Sequence, residues 1–282
     1  MEPSRPALRY HGGKWMLAPW IVSHFGRHRT YTEVFGGAAS VLLRKQRAYA
    51  EVYNDLDEEV VGLFRVFQDP ASAGRLTELL HLTPFARSEF DRAYEPTDCP
   101  VERARRLIIR SFMGHGSDGH NGARKTGFRA NSNKSGTTPA HDWANYSLAL
   151  EAIVERLRGV VIENRDAIKV LAKHDCKDAL HYVDPPYVTH TRSPARNSVR
   201  KNYRHEMTDE DHAALLDTLT QLEGMVVLSG YRCDLYDGAL KGWARRDRTA
   251  LADGARKRTE SLWLNPAASD ALEQREMFAE AS

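Results

Sequence analysis

The chain has 282 residues, enough for one large domain or a domain with a sizeable insertion, and is 41% hydrophobic and 28% charged, as soluble globular proteins are. Its formal net charge is only +2, which excludes a polycation, so a nucleic-acid surface would have to come from local clustering. Three widely spaced cysteines (Cys99, Cys176 and Cys233) form no disulfide framework, and twelve histidines show no HExxH or other metal-ligand spacing, so a reducing compartment and no metal are expected.

The N-terminal stretch MEPSRPALRYHGGK has no apolar core of signal-peptide length, so a cytoplasmic protein is expected. No run nears the roughly 18 apolar residues that a membrane-spanning helix needs. Residues 15–26 read as a helix, with Trp15, Leu17, Trp20, Ile21 and Phe25 interrupted by Pro19. Tyr31–Phe35 reads as a strand, Gly36–Ser40 as a tight turn, and Val41–Leu43 as the start of a helix. A second strand over Ala48–Tyr53 ends in Asn54-Asp55-Leu56-Asp57, and a helix follows over Glu58–Phe67. Strand, small-residue turn, helix, strand and acid is the opening of a doubly wound nucleotide-binding sheet.

Residues 68–159 break that pattern with mixed helical segments and one loop from Gly114 to about Ala140, rich in Gly, Ser, Asn and Thr. Strand-like runs return at Val160–Glu163, His181–Val183 and Met225–Leu228, with a helix over Asp209–Leu222 that Thr208 would cap, Asp211 standing at its third position. Glu260–Leu264 reads as a last strand, and the tail after Pro266 as polar and frayed. The expected fold is α/β: a sheet formed by residues 1–67 and 160–282, split by a mostly helical insertion over 68–159.

Three stretches carry chemistry. Glu33-Val-Phe-Gly-Gly-Ala-Ala-Ser40 puts small residues after a strand and free N–H groups at the following helix start, which suits a phosphate-like or nucleotide ligand but equally a plain turn. Asp55, about 20 residues on, can accept the hydroxyls of a ribose, which fits NAD, FAD or S-adenosylmethionine, or it can belong to a helix cap. Asp184-Pro185-Pro186-Tyr187 sits at a strand end. There Asp184 and the Pro185 carbonyl could each accept a hydrogen of an aromatic amine, favouring a pyramidal nitrogen whose lone pair points at a methyl donor, while Tyr187 stacks on the heterocycle.

Taken with Tyr10-His-Gly-Gly-Lys14, these motifs in this order resemble the Dam-type DNA adenine methyltransferases, phage and prophage members included. The resemblance extends through Tyr203–His212, Leu228–Tyr231 and Ser261–Leu264 and covers most of the chain outside the insertion. It implies a Rossmann-like S-adenosylmethionine-dependent methyltransferase sheet with an inserted target-recognition domain. It implies donor contacts at Tyr10, Lys14, Phe35, Gly36, Gly37, Asp55 and Asp184, and chemistry at Asp184, Pro185 and Tyr187 on the exocyclic amine of a flipped-out adenine. Two residues depart from the family pattern: Val34 replaces a usual proline, and Ala39 a usual glycine.

Three cationic stretches could hold DNA: 101–140 with eight basic residues against two acids, 188–205 with five and no acid, and 241–258 with seven against Asp247 and Asp253. The readings that follow are Arg124, Lys125 and Arg129 in or near the major groove, and Arg192, Arg196, Arg200 and Lys201 in a loop closing over the base. Expected partners are double-stranded DNA and, in a restriction–modification pair, a separate cognate endonuclease, with the chain acting as a monomer. Alternatives are an amino-methyltransferase acting on cytosine in DNA, on adenine in RNA or on a protein amide, a DNA-binding protein with a decayed site, and a nicotinamide dehydrogenase, which would leave Asp184–Tyr187 unexplained.

Overall fold

The computed structural model describes residues 2–116, 125–131, 136–191, 204–252 and 256–280. In chain order the elements are α1 (Ala18–Ser23), β1 (Thr30–Glu33), α2 (Ser40–Arg44), β2 (Ala50–Asn54), α3 (Glu58–Gln68), α4 (Pro70–Leu82), α5 (Arg87–Arg92), α6 (Pro100–Met113), α7 (Pro139–Ala144), α8 (Tyr146–Leu157), β3 (Val160–Glu163), α9 (Ala167–His174), β4 (Ala179–Val183), α10 (Asp209–Gln221), β5 (Met225–Gly230), α11 (Asp234–Ala239), β6 (Ala244–Ala252), β7 (Arg256–Leu264) and α12 (Pro266–Glu280). The strands form one mixed sheet in the order β3-β2-β1-β4-β5-β7-β6. Strands β2, β1, β4 and β5 run parallel, and β7 turns antiparallel to β5 with β6 antiparallel outside it. β4 and β5 are buried along their whole length, as strands covered on both faces must be, which is why their sequences are largely apolar, with Met225–Leu228 an unbroken apolar run.

By packing, the chain divides into two compact units: residues 1–15, 37–44 and 57–162, and residues 16–36, 45–56 and 163–282. The first is helical. α6 packs on α3, α4, α5 and α7, and α8 on α3 and α4, around Phe64, Leu76, Leu107, Ile108 and Ile153. Its N-terminal segment is clipped to these helices: Ser111 Oγ accepts from Arg9 N (2.7 Å) and donates to Arg9 O (3.0 Å), and the Tyr146 hydroxyl donates to Ala7 O (2.6 Å). Residues 1–15, α2 and α3 thus belong by packing to this helical unit, whereas the sequence boundary at 67 groups them with the sheet. Of the long loop, Gly114 bridges Phe128, whose ring lies 5.1 Å from Phe85 and 5.8 Å from Phe90.

The second unit holds the sheet core, in which Val34, Val52, Val183, Val226 and Leu228 pack with Leu171, Leu215, Leu219 and Trp263. Thr208 caps α10 in a reciprocal box with Asp211, as its sequence suggests. Two expectations need correction. The basic stretch 241–258 contains a strand pair, β6 and the start of β7, not simply a cationic loop. The segment after Pro266 is a docked helix, not a frayed tail. Asn265 Oδ1 accepts from Ala268 N at the start of α12 and from Val226 N of β5, 2.9 Å each, while Ala268 and Leu272 are buried. At Gly26, whose missing side chain leaves room for α12, an added Cβ would stand 2.5 Å from the Ala271 Cβ. The predicted helix over 15–26 shortens to α1, which begins at Ala18 because Pro19 favours a first turn over an interior. Among the described residues no helix is long and apolar enough to cross a membrane.

Candidate active site

β1 and β4 are neighbours in the sheet, with Glu33 opposite Tyr182, yet the chain visits β2 and β3 on the far side of β1 before returning to β4. That reversal of strand order opens a crevice at the carboxyl ends of β1 and β4, the place where open α/β sheets bind ligands. Val34-Phe35-Gly36 leaves β1 there, and Asp184-Pro185-Pro186-Tyr187 leaves β4. Val34 and Val183 are buried in the sheet core, and Phe35 packs half-buried on it.

Gly36 admits no side chain: a Cβ would stand 2.1 Å from Cε2 of Tyr53, and its N–H donates to Asn54 O at 2.8 Å. Asn54 was not singled out as a site residue, yet it ties this region together. Its buried Nδ2 donates to Val34 O (2.9 Å) and Arg165 O (3.0 Å), and its Oδ1 accepts from Arg165 N (2.9 Å). Next to it, half-buried Asp55 accepts at its carbonyl from Asn164 Nδ2 (2.8 Å). The competing cap reading falls to another acid: Asp57 caps α3, accepting from Glu59 N at 3.0 Å.

Asp184 is half-buried and Tyr187 buried. Burial first, and then the charge of Asp184, hold the phenols of Tyr182 and Tyr187 well above their ordinary range, so both keep their protons. The hydroxyls of Tyr182 and Ser229 are 2.9 Å apart. The Tyr187 hydroxyl donates to Glu260 Oε2 at 2.7 Å, and its ring meets Tyr231 edge-on, centroids 4.5 Å apart. Glu260 had no role in the sequence reading; its only signal there is an acid directly before the apolar end of β7.

In the helical unit, Gly13 N donates to Tyr10 O (3.1 Å), and buried Lys14 donates through Nζ to Gly12 O (2.8 Å). Gly37 has φ +47°, and a Cβ there would stand 2.9 Å from Tyr10 Cε1. Ala39, where the resemblance expects glycine, sits in the left-handed region at φ +53°, the conformation that gives glycine its advantage. Lys125 pairs with Asp91 (2.9 Å). Arg129 is half-buried and donates to Phe112 O (3.1 Å); burial lowers its pKa. In the basic stretch 101–140, Arg105 and Arg106 both pair with Glu102 at 2.7 Å, and Arg110 with Glu59 at 2.6 Å, so α6 spends three of its arginines inside the unit. Arg124, Arg192, Arg196, Arg200 and Lys201 lie outside the described residues. A cavity of about 500 Å³ in this unit is lined by Arg5, Arg9, Phe112, Asp142 and Asn145. Among the described residues no group of three or more His, Cys, Asp or Glu could hold a metal ion.

A doubly wound sheet with a glycine turn on one strand and Asp-Pro-Pro-Tyr on its neighbour, at the point where strand order reverses, sets a crevice suited to a nucleotide-type ligand beside a carboxylate. The chain belongs to the D12 class N6 adenine-specific DNA methyltransferases, whose defining pattern matches residues 10–250. Proteins of this class methylate the N6 amine of adenine in DNA, with S-adenosylmethionine as the methyl donor. Among solved structures the chain is similar to the SAM-dependent methyltransferase from Agrobacterium tumefaciens, at 11% identity over 89% of this chain and 60% of that one, with a TM-score of 0.38. The chain therefore spans less than two thirds of that structure's length. Among curated proteins none matches it.

Proposed function

We propose that the chain is a site-specific methyltransferase that moves a methyl group from S-adenosylmethionine to N6 of an adenine turned out of double-stranded DNA. One observation carries this reading: the Phe35-Gly36 turn and the Asp184–Tyr187 turn leave adjacent parallel strands at the switch point. The donor set there fits S-adenosylmethionine, with small residues after β1, the Asp55 carboxylate after β2 for a ribose, and the Asp184 carboxylate after β4. The resemblance adds Tyr10, Lys14 and Gly37 to the donor contacts. When bound, the donor supplies an electrophilic methyl on a sulfonium sulfur.

The chain's own groups then do the following. Asp184 accepts one N6 hydrogen and the Pro185 carbonyl the other, which localises the nitrogen lone pair. The N–C bond forms as the S–C bond breaks, and the proton lost from nitrogen passes by way of Asp184 to solvent. Tyr187 offers its ring to the base. Residues 68–159 are assigned to target recognition, and the basic residues Arg124, Lys125, Arg129, Arg192, Arg196, Arg200 and Lys201 are the candidates for contact with DNA. The enzyme acts as a cytoplasmic monomer, alone or beside a cognate endonuclease.

The test is transfer of labelled methyl to unmethylated DNA, followed by digestion to nucleosides. N6-methyladenine is the expected product, and N4-methylcytosine, or label only in RNA, would overturn the reading. Asp184→Ala is expected to cut kcat by at least about a hundredfold, with the thermal midpoint within a few degrees of wild type.

A further inference from the structure

The roles given to Asp184–Tyr187 leave Glu260 unexplained. β7 is buried from Ser261 to Leu264, and Glu260 is the residue just before that buried run. Ser261 pairs with Gly230, the last residue of β5, so Glu260 stands one step further, where Tyr231 leaves β5. Two contacts from this strand pair meet the Tyr187 ring, and a third backs the Tyr231 ring that touches it. Glu260 accepts the Tyr187 hydroxyl hydrogen at 2.7 Å. Tyr231 meets the Tyr187 ring edge-on, at 70° between planes. Arg258, two residues before Glu260, lies with its guanidinium 5.1 Å from the Tyr231 centroid. A tyrosine ring can swing about its Cα–Cβ bond and rotate about Cβ–Cγ. A hydrogen bond at the para oxygen opposes the swing, and an edge contact opposes the rotation.

We propose that Glu260 is a positioning residue for methyl transfer: acting through the Tyr187 hydroxyl, its carboxylate sets the plane in which the Tyr187 ring meets the target base. This rests on the function proposed above. A carboxylate accepting from the phenol also leaves more electron density in the ring, on the face that charge developing on the adenine would meet. An acid that merely tied β7 to the neighbouring turn would stabilise the fold without acting through the hydroxyl.

The test is a double-mutant cycle with Glu260→Ala, Glu260→Gln, Tyr187→Phe and the double variant Glu260→Ala/Tyr187→Phe. The readouts are kcat, KM for DNA, donor affinity by calorimetry and thermal midpoint. Glu260→Ala is expected to lower kcat about tenfold with donor affinity unchanged, and Glu260→Gln, which keeps an acceptor oxygen, to recover to within about threefold of wild type. In the Tyr187→Phe background, removing Glu260 is expected to cost less than about a further twofold. Losses that multiply across the two sites, or no loss in Glu260→Ala, would overturn the positioning role while leaving adenine methylation standing. A wild-type chain that methylates no adenine in DNA would overturn both.

Discussion

The buried side chain of Asn54 makes three hydrogen bonds, and each of its partners is a main-chain group at the end of β1 or in the turn between β3 and α9. Asn54→Ala would leave those groups unsatisfied, and a loss of about 2–4 kcal/mol is expected from urea unfolding, with kcat falling as well because Val34 precedes Phe35. His181 sits in a second buried network, with Thr32 Oγ1 at 2.6 Å from Nδ1 and Asp175 at 3.1 Å from Nε2; Asp175 also accepts from Gly224 N at 2.9 Å. Burial lowers the His181 pKa below 6.5 despite Asp175, and burial likewise lowers His24 and His28. The unfolded chain therefore binds more protons than the folded one below pH 6.5. The contribution of these histidines to stability is expected to be flat above that pH and to fall as the pH drops below it, and His181→Gln should make the fall shallower in thermal melts taken stepwise toward pH 5. At this scale the sequence was legible where a residue type implies one job, as with Gly36 in a turn that leaves no room for a Cβ. It was not legible where several residues compete for a job: Asn54, Asp55 and Asp57 lie within four positions, and only the fold shows that Asp57 takes the cap and Asn54 the main-chain ties.

β5 was readable as an element because burial on both faces favours an apolar run, and α10 because its capping box is local. β6 was not, because Ala244-Arg-Arg-Asp-Arg248 is the start of an edge strand whose charges face solvent, which discourages further pairing but removes the apolar alternation. α12 escaped for a similar reason: few of its described residues are buried, and its seat is made by Gly26 and β5, from other parts of the chain, to which the preceding Asn265 ties it. That seat can be tested. Gly26→Ala would force a methyl against Ala271 and is expected to cost about 1–3 kcal/mol, read as a lowered midpoint in denaturant with an unchanged slope.

For the molecule as a whole, the order of motifs along the chain carried the family, since each motif alone fits several folds. Charge carried less. With a net +2 and Arg105, Arg106 and Arg110 committed to internal pairs, DNA attraction depends on the remaining cations. KM for DNA is expected to rise steeply between about 50 and 200 mM salt, with a log–log slope of about 0.9 per phosphate contact, while donor affinity stays level. A slope near zero in a filter-binding titration would rule out backbone charge as the source of affinity.

The place of β7 between β5 and β6 has a consequence for biosynthesis. β5 is complete at residue 230, but the strand that covers its open side begins at residue 256 and is locked by Asn265. A nascent chain therefore presents an apolar strand with unpaired main-chain groups on one edge until those last residues emerge from the ribosome, the stage at which a chaperone has most to protect. A stop codon falling between the two strands should yield inclusion bodies and no partially working enzyme.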